Sequence, residues 1–333
     1  MRATVRSVGL VCLGLAILVL LALLLGLWLG TVSITPGQFW DWLGGRLSGA
    51  PAVILSDLRL PRLLLAALVG ACLSLCGAVF QGILRNPLAE PFILGVSGGA
   101  ACGAVLALLI GVASLWSQSL LAFGGAVGTV FLVLAVARRR GSLETSTLVL
   151  TGVMINAFFT AVIMFVIATT TDQKLHAILF WLYGDLAAAN LRQTYLLLPV
   201  TLIGGGAIFC FARHLNLLSA GDQAAAALGV AVERVKLILF LIVSLLVGVT
   251  VSLSGLIGFV GLMVPHLVRI TLGHDHRLLL PAAGLFGAAF LMLADTAART
   301  VISPAALPVG VVTAALGAPF FVLLLAKRGS RWW

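Results

Sequence analysis

Charge is what this sequence has least of. Only 9% of its 333 residues are Asp, Glu, Lys or Arg, against about 25% in a soluble domain. That shortage excludes an ordinary water-facing fold. Acid is rarer than base, with 10 Asp and Glu against 20 Lys and Arg. The basic excess is no nucleic-acid signal, because these residues are scattered through loops between apolar runs. Cysteine is sparse too. Cys12, Cys72, Cys76, Cys102 and Cys210 all lie inside apolar runs without metal-ligand spacing, so we expect small core residues. No G-x-x-x-x-G-K-[ST] phosphate loop and no H-E-x-x-H motif occurs, and no catalytic set is evident. His274-Asp275-His276 has no thiol or further acid near it in sequence, so a solvated loop is expected rather than a metal site. His266 is expected to pack or hydrogen-bond within its apolar segment. No cofactor is expected.

What the chain has is hydrophobic length. It is 62% hydrophobic, with mean hydropathy +1.21. The first apolar run, Val8 to Gly30, covers 23 residues. A signal peptide has an apolar region of about 7–15 residues, so this run reads as a retained span. Further spans are expected near 60–84, 92–111, 117–137, 145–168, 193–211, 237–254, 256–270, 278–297 and 307–326. The class is therefore all-α, a polytopic membrane helical bundle of about ten transmembrane helices. Trp40 and Trp42, between the first two spans, suit a membrane interface. The third span carries Gly95, Gly99, Gly103, Ala107 and Gly111 at every fourth position, a small-residue face that lets a neighbouring helix approach. Pro199 should kink the sixth span.

Ten spans put both termini on one side, and basic residues choose it. Of the 20 Lys and Arg, only six (Arg46, Arg59, Arg62, Lys174, Arg192 and Arg299) fall in the segments opposite the termini. Both termini are therefore expected in the cytoplasm. The sequence also echoes itself. Leu68-Val-Gly-Ala-Cys-Leu-Ser-Leu-Cys-Gly77 resembles Leu246-Val-Gly-Val-Thr-Val-Ser-Leu-Ser-Gly255 at an offset of 178, which Pro87 and Pro265 share. Five spans separate the copies, as an inverted repeat requires; chance matching among Leu, Val, Gly and Ser is the alternative.

The longest polar break, Arg213 to Lys236, does not read as slack loop. Ser219-Ala-Gly-Asp222 has the form of a capping box, Gln223 to Leu228 is rich in helix-forming Ala, and Gly229 is placed to stop that helix. A second helix should start near Ala231 and enter the next span. We expect a folded knob of two short helices on the cytoplasmic face.

Gly221-Asp222, Ala225 and Leu228-Gly229-Val230 resemble the cytoplasmic loop of the FecCD permease family. Ordered matches continue along most of the chain: Arg59-Leu-Pro-Arg62, Gly77-Ala-Val-Phe-Gln81, Arg85-Asn-Pro-Leu-Ala-Glu-Pro91, Leu94-Gly-Val-Ser-Gly-Gly99, Gly258-Phe-Val-Gly-Leu-Met-Val-Pro-His266, Ala294-Asp295, Ala298-Arg299 and Leu307-Pro-Val-Gly310. The resemblance implies a type II ABC importer permease forming one domain, 1–333, with coupling helices about 214–235. It implies a separate ABC ATPase, a periplasmic or lipid-anchored substrate-binding protein, a second copy of the chain, membrane lipids as surroundings and no nucleic acid. The implied cargo is an iron chelate such as a ferric siderophore, or alternatively cobalamin or haem. Arg59, Arg62 and Arg299 match outward-facing arginines that dock the binding protein. Asn86, Pro87, Leu88, Thr145 and Ser146 match the cytoplasmic gate; Glu144, before Thr145, departs from its usual neutral lining. Gly221, Asp222, Ala225, Leu228 and Gly229 match the ATPase-coupling element. Two other classes remain: a structural or channel-like membrane protein, which would need no partner, and a secondary transporter, which would need an ionisable residue within the membrane, for which Asp295 is the candidate.

Overall fold

A computed structural model describes residues 5–112, 114–139, 145–170, 172–302 and 305–328. Every regular element among them is helical. The chain opens with α1 (Val5–Trp28), followed by the short α2 (Pro36–Leu43) and α3 (Ala50–Val53). A π-helical stretch, Ile54–Arg59, runs without a break into α4 (Leu60–Leu84). Then come α5 (Val96–Leu109), α6 (Leu115–Arg139), α7 (Thr145–Thr169), α8 (Asp172–Leu182) and α9 (Leu191–Cys210). The knob region holds α10 (Ala212–Ser219) and α11 (Asp222–Ala227), and the chain ends with α12 (Val232–Ser254), α13 (Val260–Leu272), α14 (His276–Thr300) and α15 (Val309–Arg328).

Among the described residues, seven helices are long and apolar enough to cross a membrane. Three more apolar helices are shorter, at Val96–Leu109, Val260–Leu272 and Val309–Leu324, and together these ten are the predicted spans. The 14 residues of α5 rise only about 21 Å, short of the ~30 Å hydrocarbon core. Such a helix must begin inside the protein, where its free backbone ends are met by neighbours. α1 is half-buried or exposed along most of its span, whereas α4, α12 and α14 are mostly buried. The bundle is thus built around α4, α12 and α14, with α1 on its lipid-facing edge.

Close approach at glycine sets the core. α4 and α14 form the most extensive helix pair. A Cβ on Gly70 would lie 2.2 Å from the Gly287 carbonyl oxygen, and one on Gly77 only 1.7 Å from that of Gly261. The small-residue face of the third span behaves likewise: Gly99 and Gly103 meet the α6 backbone at Gly125 and Leu121, while Gly95 meets Gly152 of α7. Gly111, with a positive φ and nothing near it, ends the helix instead of packing.

α4 packs on α13 and α14, and α12 packs on α5 and α6. Gly70 faces α14, and Gly248, its counterpart in the second copy, faces Ala126 of α6. Each copy continues into a short second helix, 14 residues in α5 and 13 in α13.

Three local expectations are corrected. Ser219 and Asp222 form no capping box: the Ser219 hydroxyl donates back to the Leu215 carbonyl, and α11 starts from Gly221 at φ +117 without a side-chain cap. Cys210 is exposed and Cys12 half-exposed, whereas Cys72, Cys76 and Cys102 are buried. The 274–276 turn is only partly solvated: His274 is exposed, but His276 is 2% exposed and bonded to Asn216.

Candidate functional site: a cavity between gate and knob, and a buried arginine cluster

The α4 helix ends where Arg85 turns into the left-handed region at φ +47. The next residues fold back on themselves: the Asn86 side-chain carbonyl accepts from the Leu88 N–H at 2.9 Å, and its main-chain carbonyl from Ala89 at 3.0 Å. Asn86 and Leu88 are left exposed while Ala89 is buried. The knob comes next to this turn. α10 is amphipathic, burying Ala212, Leu215 and Leu218, and α11 buries Ala225. Gly229, at φ +86, closes α11, and Leu228 beside it is 68% exposed. α12 then starts at Val232. The knob is therefore α10 with α11, one helix more than the sequence predicted before Asp222.

The α4 turn, α7, α11 and the start of α12 line one open cavity of about 900 Å³. Its walls include Arg85 and Asn86 from the α4 turn, Ser146 and Leu150 from α7, Asp222 from α11, and Glu233 and Lys236 from α12. The predicted gate and the predicted coupling residue thus share a space, although they are far apart in sequence. Lys236 Nζ donates to Asp222 Oδ2 at 2.6 Å and ties α11 to α12. Of the predicted gate, Thr145 opens α7, but its side chain and Glu144 lie outside the described residues.

The three arginines sit at the opposite end of α4 and α14, and they are buried. Arg59, Arg62 and Arg299 are 4%, 8% and 7% exposed. Arg59 donates to the carbonyls of Leu27 (2.6 Å) and Trp28 (3.0 Å) at the end of α1, and to that of Val32. A cation is well placed at a helix C-terminus. Asp295, with no exposure at all, accepts from Arg62 Nε at 2.8 Å and from Arg299 Nε at 3.1 Å. Arg299 also reaches the Gly26 carbonyl. So α1, α4 and α14 are joined by one buried polar cluster. Three guanidinium groups against one carboxylate leave it positive. Asp295, the residue an ion-coupled carrier would need, is already neutralised by two arginines.

Sequence reasoning passed over a third set of contacts. Asn216 of α10 binds the turn before α14: its Nδ2 donates to Asp275 Oδ1, and its Oδ1 accepts from the His276 main-chain N–H, each at 2.8 Å. His276 Nδ1 lies 2.8 Å from the same oxygen. Burial alone would raise the Asp275 carboxyl, but the bonds from Asn216 and the Arg277 N–H, with the Arg277 charge, hold it below its ordinary value. The signal that could have found this was the Asn216–Asp275–His276 residue set itself, polar groups flanking two apolar segments.

A bundle of long and shorter apolar helices, with a polar knob at one end and a gate-side cavity beside it, is the architecture of a membrane permease. Comparison with known proteins places it: residues 17–327 match the FecCD transport family, and the chain belongs to that family. It is 43% identical over 304 residues to the ABC transporter permease protein YvrB of Bacillus subtilis, covering 88% of this chain and 86% of that one. It is 41% identical over 320 residues to the vitamin B12 import system permease protein BtuC of Escherichia coli, covering 95% and 94%. A cobalamin import system permease protein BtuC of Halobacterium salinarum is 43% identical over 280 residues, covering 84% and 75%. Among solved structures, a metal-chelate type ABC transporter in an inward-facing conformation superposes with TM-score 0.84 at 33% identity, over 96% of this chain and 99% of that one. The chain is an ABC importer permease of the FecCD/BtuC type, a multi-pass inner-membrane protein in a family where a separate ATPase hydrolyses ATP. That family implies ATPase and binding-protein partners and a dimer.

Proposed function

We propose that this chain, as a single permease domain, moves a metal chelate inward through a pathway gated beside the knob. The observation that carries the reading is the cavity in which Asn86 and Ser146 face Asp222. A change at the knob would act on the gate across one shared space. In this reading Gly221, Asp222, Ala225, Leu228 and Gly229 form the ATPase-coupling element, with exposed Leu228 offered to the ATPase. Asn86, Pro87, Leu88, Thr145 and Ser146 form the gate. The knob and both termini face the cytoplasm, as the distribution of basic residues supports. Two copies of the chain flank the pathway.

The binding protein docks at the arginine end. Burial of Arg59, Arg62 and Arg299 gives them an indirect part there: they hold α1, α4 and α14 in register and leave a positive field, which steers an acidic partner more than it adds affinity.

For cargo we favour cobalamin. The named cobalamin and vitamin B12 permeases are 41–43% identical to this chain, and the ferric-siderophore expectation from the sequence becomes the second reading, supported by likeness to the metal-chelate transporter. Uptake of radiolabelled cyanocobalamin and of a ferric siderophore, in cells lacking their own permeases, decides between them. Cobalamin uptake that needs this chain supports the first reading; siderophore uptake alone overturns it.

A further inference from the structure

The turn that carries the proposed gate is pinned to α13 on both sides. Before it, Gln81 is fully buried on the last turn of α4. Its Nε2 donates to the Leu262 carbonyl at 3.0 Å, and its Oε1 accepts from Arg269 Nη1 at 2.9 Å. After it, Glu90 Oε1 accepts from the main-chain N–H of Phe259 at 2.8 Å. Phe259 is the residue from which α13 starts, and it holds a left-handed conformation, φ +68, that side-chain-bearing residues rarely adopt. A carboxylate at a helix N-terminus meets free N–H groups and the positive end of the helix dipole. This junction also reaches α15, where a Cβ on Gly317 would lie 2.5 Å from the Phe259 ring.

The other end of α13 meets the knob. α13 closes at Gly273, φ +98, and two residues later Asp275 caps α14. That cap is the group Asn216 of α10 binds. One connected route therefore runs from the knob through the Asn216–Asp275 hydrogen bond, along the chain through His274 and Gly273 into α13, and on to Gln81 and Glu90 around the gate turn. α13 is 13 residues long with Pro265 inside it, and Gln81 holds it on both sides of that proline, at Leu262 and at Arg269.

We propose that α13 is the lever between coupling knob and gate, with Asn216 the positioning residue at its knob end and Glu90 the positioning residue at its gate end. This rests on the importer reading above and deepens it. Glu90 touches no cargo in this account; it acts by making the gate turn follow the start of α13.

The test uses the full chain in complex with its ATPase, in proteoliposomes. A reporter cysteine replaces Leu150, on the α7 wall of the cavity, with Cys12 and Cys210 changed to Ser. The reading is the ratio of maleimide labelling rates with and without a non-hydrolysable ATP analogue. The reporter protein should show a ratio several-fold from one. Glu90→Leu and Asn216→Leu should each bring the ratio close to one while the ATPase stays bound and active. Glu90→Gln, whose amide oxygen still accepts from Phe259, should keep the several-fold ratio, which separates positioning from charge. The double variant should be no worse than either single, since both cut one route. A several-fold ratio in Glu90→Leu overturns the lever. Should Glu90→Leu not fold, the same result in Asn216→Leu overturns it. A reporter protein that binds ATPase but shows no response also overturns it, whereas failure to bind the ATPase overturns the importer reading beneath it.

Discussion

Asp222 Oδ2 on the knob helix lies 2.6 Å from Lys236 Nζ on α12. Asp222 is 42% exposed at its side chain, so solvent screens the pair and its contribution to stability is on the order of 0–1 kcal/mol. Its value is positional. We expect Asp222→Asn to leave the melting temperature within about 2 °C of wild type while ATPase stimulation by the permease falls several-fold. A large loss of thermal stability with unchanged stimulation would remove Asp222 from the coupling role.

The arginine end should behave in the opposite way. Asp295→Ala leaves the Arg62 and Arg299 guanidinium groups buried without their carboxylate. Breaking one partner of a buried ion pair costs about 3–5 kcal/mol. Detergent-solubilised Asp295→Ala should therefore melt far below wild type or fail to accumulate. An ion-coupled carrier would instead lose transport with its fold intact, so an unchanged melting temperature with lost uptake would revive that class.

Glycines sort by what surrounds them. A methyl at Gly77 would meet the Gly261 carbonyl oxygen at 1.7 Å, whereas Gly124 and Gly128 on α6 have nothing within 4 Å. Gly77→Ala should abolish stable expression. Gly124→Ala and Gly128→Ala should be neutral or stabilising by up to about 1 kcal/mol, the helix-propensity gain over Gly. Fluorescence-detected size-exclusion profiles with a temperature ramp read all three; a well-folded Gly77→Ala protein would contradict the α4–α13 contact.

The Asp275 carboxyl is held below its ordinary value of 3.8 by Asn216, the Arg277 N–H and the Arg277 charge, which together outweigh burial. A depressed carboxyl contributes stability that is present above its unfolded pKa and lost as pH falls through the folded one. The stability gap between wild type and Asp275→Asn should thus be flat from pH 7 to about 5 and close only below about pH 3.8. A gap that changes near neutral pH would show that another group controls this turn.

Much of this was legible in the sequence because lipid leaves few choices. Long apolar runs became spans within a few residues: α4 ends at Leu84 and α12 at Ser254, as expected. Gly229 stopped its helix because few other residues take a positive φ without cost. The misses are of two kinds, one local and two long-range. The Ser219-to-Asp222 spacing fits a capping box, but Ser219 belongs to the preceding helix α10, whose own carbonyl takes its hydroxyl. The arginines read as docking groups on the outer side; only the fold reveals that they are buried and that Asp295, 233 residues from Arg62, lies beside it. His276 looked solvated for the same reason, since its partner Asn216 is 60 residues away. Polar pairing across the bundle is long-range information that no local pattern carries.

The central claim is that the knob formed by α10 and α11 takes force from an ATPase. Co-purification of the tagged chain with its candidate ATPase tests it most directly, comparing wild type with Gly221→Val and Asp222→Arg. The account expects the ATPase with wild type and its loss with both variants, the permease itself remaining folded and in the membrane. An ATPase that never associates, or that binds both variants as well as wild type, would contradict it.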